Sequence, residues 1–217
     1  MTDSYVIERA AIAATAREMD RLGLVSGSSG NVSMRLAERG LMAITPMGVP
    51  YTELADSDVV VVDSELEPVE GDLAPSSESL LHLGIYARRP DAGAVIHTHS
   101  VFSSVAAVTG RAIPPIVDEM VVYVGGDIRV SAYAFPGSED LAEKVCAALQ
   151  DRSAAIIRNH GAVGVGRTLK EALRVCSLIE RVAKIHAYAS ITGEVGELPA
   201  DVVECEQAIY KMRTGAS

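Results

Sequence analysis

Apolar positions along this chain change period several times, and each change marks an element. Ile7, Ala10, Ala11 and Ala14 recur at helical spacing over residues 5–22, and Gly23 follows where a left-handed cap is expected. The Gly/Ser cluster in VSGSSGNVSMRL gives way to the alternation Val32, Met34, Leu36, which predicts a half-buried strand. LMAIT and DVVVVD read as further strands, separated by a loop that Pro46, Gly48 and Pro50 punctuate. GDLAPSSESLLHLGIYARR opens with turn residues and offers Ser76 or Ser77 as an N-cap, which places Glu78 in the first turn of a helix ending at Arg89-Pro90. AGAVIHTHS is a short strand and SVFSSVAAV a helix, while MVVYVGGDIRVSAYAF reads as a pair of strands broken at Gly125-Gly126. SEDLAEKVCAALQD is a capped helix, and SAAIIRNHGAVGVG predicts two strands meeting at His160-Gly161. A long helix follows from its N-cap Thr168, and PADVVECEQAIYKMR forms a last one.

The order mixes helices and strands without a steady βαβ rhythm. It predicts an α/β fold with a mostly antiparallel central sheet between helical layers, built as one domain over residues 1–217. Gly23, Gly27 and Gly30 have the wrong spacing for a dinucleotide-binding loop, and no internal repeat is visible.

Composition narrows the partners. Nineteen basic residues against 29 acidic ones give a formal charge of −10, with 4% aromatic residues and no basic run. Neither a phosphate-tracking groove nor a base-stacking platform is visible, so nucleic acid is not expected as a partner. Apolar stretches break well before the roughly 18 residues of a membrane span, and MTDSYVIERA lacks the basic-then-apolar layout of an export signal. No membrane association is expected, and the cytoplasm is the expected compartment. Cys146, Cys176 and Cys205 are widely spaced and odd in number, which predicts free thiols, buried where they fall among helical alanines and leucines.

Chemistry concentrates in the histidines. His97 and His99 lie two apart in a strand-like run, so both side chains project from one face and can converge on a metal ion. Ala94, Val95 and Ile96 lead into the pair, which marks it as the end of a buried strand. His82 and His186 fall inside helix patterns and are expected on a helix surface or at a satisfied core position. His160 ends a strand and precedes Gly161, which permits close backbone approach, and is the preferred third ligand. Glu78 sits in PSSE, where hydroxyls, free backbone N–H groups and a carboxylate meet: a phosphate site beside a general base. Rival patterns fit less well. Ser100 to Val108 lack the glutamate a cupin would show, no GxSxG elbow exists, and Lys144, Lys170, Lys184 and Lys211 lie in amphipathic helix patterns unsuited to a Schiff base.

Five blocks occur in order: RLGLVSGSSGNVSMR, ITPMGVPYTEL, PSSE, RPDAGAVIHTHS and RNHGAVGVG. Through them nearly the whole chain resembles the class II aldolase/adducin family, and within it the branch of L-fuculose-1-phosphate aldolases. That resemblance implies a three-layer sandwich, a zinc site made by His97, His99 and His160, and a Glu78 that ligates the metal at rest and serves as base when substrate displaces it. It also implies phosphate binding by Ser28, Asn31, Gly48, Ser76 and Ser77, and a homotetramer with active sites between subunits. The implied reaction is reversible cleavage of a ketose 1-phosphate to dihydroxyacetone phosphate and a short aldehyde. L-Fuculose 1-phosphate and a deoxypentulose 1-phosphate are the substrates to weigh. Other branches of the family epimerise or decarboxylate sugar phosphates, and the adducin branch is a non-catalytic scaffold. Two positions depart from the aldolase pattern. Met47 replaces a hydroxyl residue of the TPxG loop, and IPPIVDEM puts Asp118-Glu119 where a tyrosine acid is usual, leaving Glu119 and Tyr123 as alternatives for that role.

Overall fold

In the computed structural model, which describes residues 5–38 and 40–215, eight strands form one sheet in the order β4-β3-β2-β1-β5-β8-β7-β6. The strands are β1 (Asn31–Arg35), β2 (Met42–Ile44), β3 (Val60–Val62), β4 (Pro68–Glu70), β5 (Ala94–Thr98), β6 (Arg129–Val130), β7 (Ala154–Ile157) and β8 (Gly161–Gly166). Every pairing is antiparallel except β6 with β7. The helices are α1 (Val6–Arg21), α2 (Ser79–Arg88), α3 (Val101–Thr109), α4 (Asp118–Val124), α5 (Glu139–Leu149), α6 (Leu169–Thr192) and α7 (Ala200–Thr214).

Strand residues alternate between two buried faces, as the pleat requires. Met42, Ile44, Val95, Val163 and Val165 pack with Leu81 and Ile85 of α2 and Leu141 and Val145 of α5. Ala43, Ala94 and Ile96 face the other way, onto Ile12, Ala16 and Met19 of α1 and Cys176 of α6, and Ala154, Ile156 and Ala162 meet α3, α4 and α6. The expected α/β architecture with a mostly antiparallel sheet between helical layers is what the chain forms.

Three local expectations change. The strand β1 is buried on both faces rather than half-buried: Val32 joins the apolar core, while Asn31 and Ser33 turn into the α2 side as buried polar groups. MVVYV is helical, not a strand, because Met120, Val121 and Val124 bury completely on one side of α4 and that packing overrides β-branched propensity. Glu78 is the N-cap of α2 instead of a first-turn residue, and neither Ser76 nor Ser77 caps the helix. Ser76 spends its main-chain oxygen on the N–H and hydroxyl of Ser79, which tightens a turn ahead of the helix. At Ser138 and Thr168 the expected caps form: each hydroxyl accepts an N–H three residues on, from Leu141 and Glu171. Cys146 and Cys176 are buried free thiols, and Cys205 is exposed and free.

Candidate metal centre and active site

His97 lies near the end of β5, His99 just past it, His160 in the β7–β8 turn and Glu78 at the N-cap of α2. The turn is closed by the His160 N–H donating to the Ile157 carbonyl at 3.0 Å, with Asn159 in the left-handed region at φ 56°. Asparagine tolerates that conformation better than most residues. Gly161 is required here for space: a β-carbon would collide with the Thr98 carbonyl oxygen and press on the His97 and His99 rings. A side chain at this position would hold β8 off β5 and carry His160 away from its partners.

The three imidazoles pack edge to face, with ring centroids 4.7–4.8 Å apart. His97 Nε2 lies 3.0 Å from Glu78 Oε2 and 2.8 Å from His99 Nε2, and His160 Nε2 is 3.5 Å from Glu78 Oε1. One ligand atom from each of the four residues falls within 4.8 Å of the others.

The protonation pattern shows what the cluster lacks. His97 Nδ1 sits 2.9 Å from the Ala162 carbonyl, which can only accept, so Nδ1 carries a hydrogen and Nε2 is the ring nitrogen turned into the cluster. Burial pushes His99 down to about 4, and burial also lowers His160, with the neighbouring His97 adding to both shifts. Three imidazole rings and a carboxylate therefore face one another in a buried space, where Glu78 Oε1 has no hydrogen-bond partner among the described residues. Burial alone would raise the Glu78 carboxyl, yet the facing His97 and His160 and the hydrogen bond from Asn31 outweigh it and hold Glu78 well below the usual carboxylate range. A cation at the centre satisfies all four donors at once. This donor set fits a divalent metal of borderline softness.

Three loops gather beside this cluster. The GSSGN loop passes over β5 so closely that a β-carbon on Gly30 would strike the His97 carbonyl and the Val25 side chain, and Tyr51 clamps the loop by donating to the Gly30 carbonyl at 2.6 Å. The TPMG loop bridges the APSS segment: Met47 N–H donates to Ala74 and Ser76 N–H to Thr45. Ser28, Met47 and Ser77 are exposed and Ser76 is buried. Asn31 differs from the others, because its side chain is committed to Glu78 and to His82.

Neither Glu119 nor Tyr123 joins the cluster of Glu78, His97, His99 and His160. Glu119 pairs with Arg181 at 2.5 Å on the surface. The Tyr123 ring lies under the guanidinium groups of Arg174 and Arg213, at 4.4 and 4.1 Å, in a small cavity that also touches Gly166. His82 is the residue that the helix pattern did not single out: it is fully buried, with both ring nitrogens bonded. The traceable signal was its place four residues after Glu78, one helical turn onto the same face.

Comparison with known proteins agrees with this geometry. The model of the class II aldolase and adducin N-terminal domain matches residues 10–187. The chain belongs to the class II aldolase and adducin family. Within it, the chain is 39% identical over 214 residues to the 5-methylthioribulose-1-phosphate/5-deoxyribulose-1-phosphate aldolase of Rhodospirillum rubrum, covering 99% of this chain and 95% of that one. It is 38% identical over 172 residues to the L-fuculose phosphate aldolase of Escherichia coli, covering 79% of each. A solved L-fuculose 1-phosphate aldolase superposes with a TM-score of 0.90 at 33% identity, over 97% of this chain and 98% of that one. The chain is thus a class II aldolase, a carbon–carbon lyase, with a histidine and glutamate cluster able to hold a metal ion.

Proposed function

We propose that this aldolase uses zinc, held by His97, His99, His160 and Glu78, to cleave a ketose 1-phosphate reversibly to dihydroxyacetone phosphate and a short aldehyde. The observation that carries the reading is the set of four converging donors beside three loops rich in hydroxyls and backbone N–H groups. When bound, zinc supplies a Lewis acid that draws charge from the ketose carbonyl. Cleavage breaks C3–C4, and two protons move: one leaves the C4 hydroxyl and one arrives at C3. Glu78 handles one of them through Oε1, the oxygen with no hydrogen-bond partner among the described residues. Glu119 or Tyr123 of a neighbouring subunit handles the other. Ser28, Gly48, Ser76 and Ser77 hold the phosphate, joined by the main chain of Asn31, whose amide is committed elsewhere.

Assembly as a homotetramer suits the exposed Val101, Val105 and Val108, an apolar stripe along α3 that a neighbouring subunit would cover. No helix among the described residues is long and apolar enough to cross a membrane, and we place the enzyme in the cytoplasm. Of the two sugars, the nearly full-length match to the R. rubrum enzyme favours a deoxypentulose 1-phosphate over L-fuculose 1-phosphate.

The test is a cleavage assay with zinc-loaded protein over a panel of ketose 1-phosphates and pentulose 5-phosphates, reading dihydroxyacetone phosphate, together with elemental analysis. We expect about one zinc per chain and triose phosphate only from ketose 1-phosphates. Metal-free purified protein with full activity, or epimer formation without triose phosphate, would sink the proposal.

A further inference from the structure

Behind Glu78, away from the three histidines, a line of buried polar groups crosses between α2 and β1. Asn31 Nδ2 lies 3.2 Å from Glu78 Oε2, Asn31 Oδ1 is 2.5 Å from His82 Nε2, His82 Nδ1 is 2.6 Å from Ser33 Oγ, and Ser33 Oγ is 2.8 Å from Tyr86 Oη. Asn31, Ser33, His82 and Tyr86 are all buried, in a layer that is otherwise aliphatic. Burying so many polar groups is costly unless every hydrogen has an acceptor.

The direction of each bond follows from one end. Ionised Glu78 only accepts, so Asn31 must present its NH₂ there and its carbonyl oxygen to His82. His82 must then carry its hydrogen on Nε2 and accept at Nδ1 from the Ser33 hydroxyl, which in turn accepts from Tyr86. Each of the four bonds then joins one donor to one acceptor. Burial pushes His82 down to about 3, so the ring is neutral and has the single N–H that this order needs.

We propose that His82 is a positioning residue for Glu78: it fixes the Asn31 amide, which anchors Oε2 and leaves Oε1 as the oxygen turned to metal and substrate. An unanchored Asn31 could flip and set its carbonyl against the carboxylate. The line does not conduct protons, because an amide separates the imidazole from Glu78, so its effect is orientation alone. This inference rests on Glu78 being the acid/base of the proposed function.

The test uses His82→Phe, which fills the ring volume without an N–H, and His82→Gln, whose amide N–H reaches toward Asn31. Zinc affinity is measured by competition with a chelator and is independent of the sugar assay; kcat and KM follow with the ketose 1-phosphate. We expect His82→Phe to bind one zinc per chain at saturation but about 10-fold more weakly, and to lose roughly 10- to 100-fold in kcat with little change in KM. His82→Gln should recover most of both losses. In an Asn31→Ala background His82→Phe should cost nothing further, because the two residues act in series. Unchanged zinc affinity in a folded His82→Phe protein, equal losses in the Phe and Gln variants, or additive losses with Asn31→Ala would each overturn the proposal. Failure of the wild type to cleave any ketose phosphate would instead sink the functional reading, and the affinity series would still decide the role of His82.

Discussion

The two ends of β8 hold residues that the family resemblance assigns to one reaction, and they are built differently. At the Gly161 end, four donors converge within 4.8 Å, and burial lowers His99 and His160. At the Gly166 end, Tyr123 is stacked under two guanidinium groups; Glu119, one helical turn earlier on α4, is paired with Arg181 of α6. Six residues of strand separate the ends by roughly 17 Å. One chain brings the four metal-site donors together, and it is the proposed second proton carrier, Glu119 or Tyr123, that calls on another chain.

That difference can be broken directly. Glu78→Gln and the double variant Glu119→Gln/Tyr123→Phe should each lose about 10²-fold or more in kcat. Co-expressed with separate tags, the two kinds of subunit should regain roughly a quarter of wild-type activity, since each site would draw Glu78 from one chain and its partner acid from the next. No recovery would place both groups in one chain. A fully active double variant would remove Glu119 and Tyr123 from the reaction altogether.

The same contrast explains what could be read without coordinates. The histidine end was legible because its signals are local: a two-residue spacing fixes His97 and His99 on one face, and a glycine after His160 marks close packing. The polar line behind it was not, because Asn31 and Ser33 read as the solvated face of a half-buried strand. Only the topology, which puts β1 between β2 and β5 and under α2, shows that no solvent reaches them. Residues 120–124 failed for a related reason. Their β-branched content points to a strand, and it is the buried side formed by Met120, Val121 and Val124 that makes them a helix. The edge strand β4 is three residues long and begins with proline, too short for a period to appear.

A second way to sharpen the comparison is acid. His82 has an ordinary value of 6.5 and is pushed by burial to about 3 in the folded chain. Between those values the unfolded chain binds the extra proton, so this contribution to stability is complete above the unfolded value and is lost as pH falls toward the folded one. His99 and His160 are lowered as well and act with the same sign. Chelator-treated wild type should therefore lose roughly 2–3 kcal/mol more than His82→Phe between about pH 7 and about pH 4.5, measured by urea unfolding. The shared histidines cancel in that difference. Parallel pH dependence in the two proteins would show that His82 is not held neutral.

The smallest effect concerns the TPMG loop, where Met47 stands at the position to which the resemblance gives a hydroxyl residue. Its main-chain N–H is occupied by the Ala74 carbonyl at 3.0 Å, and its side chain is 58% exposed, so it does not fill a core position. A hydroxyl placed there could donate to a phosphate oxygen, a bond to a charged group worth about 1.5 kcal/mol at the low end. The neighbouring donors Ser76 and Ser77 stay where they are, held by the bonds that join the two loops. Phosphate is remote from the bond that breaks and is gripped alike in ground and transition states, so added binding should appear in KM and leave kcat alone. Met47→Thr is thus expected to lower KM for a ketose 1-phosphate about tenfold, with kcat within roughly twofold of wild type. An equal gain for the unphosphorylated ketose, or a higher KM, would show that this loop borders some other part of the substrate.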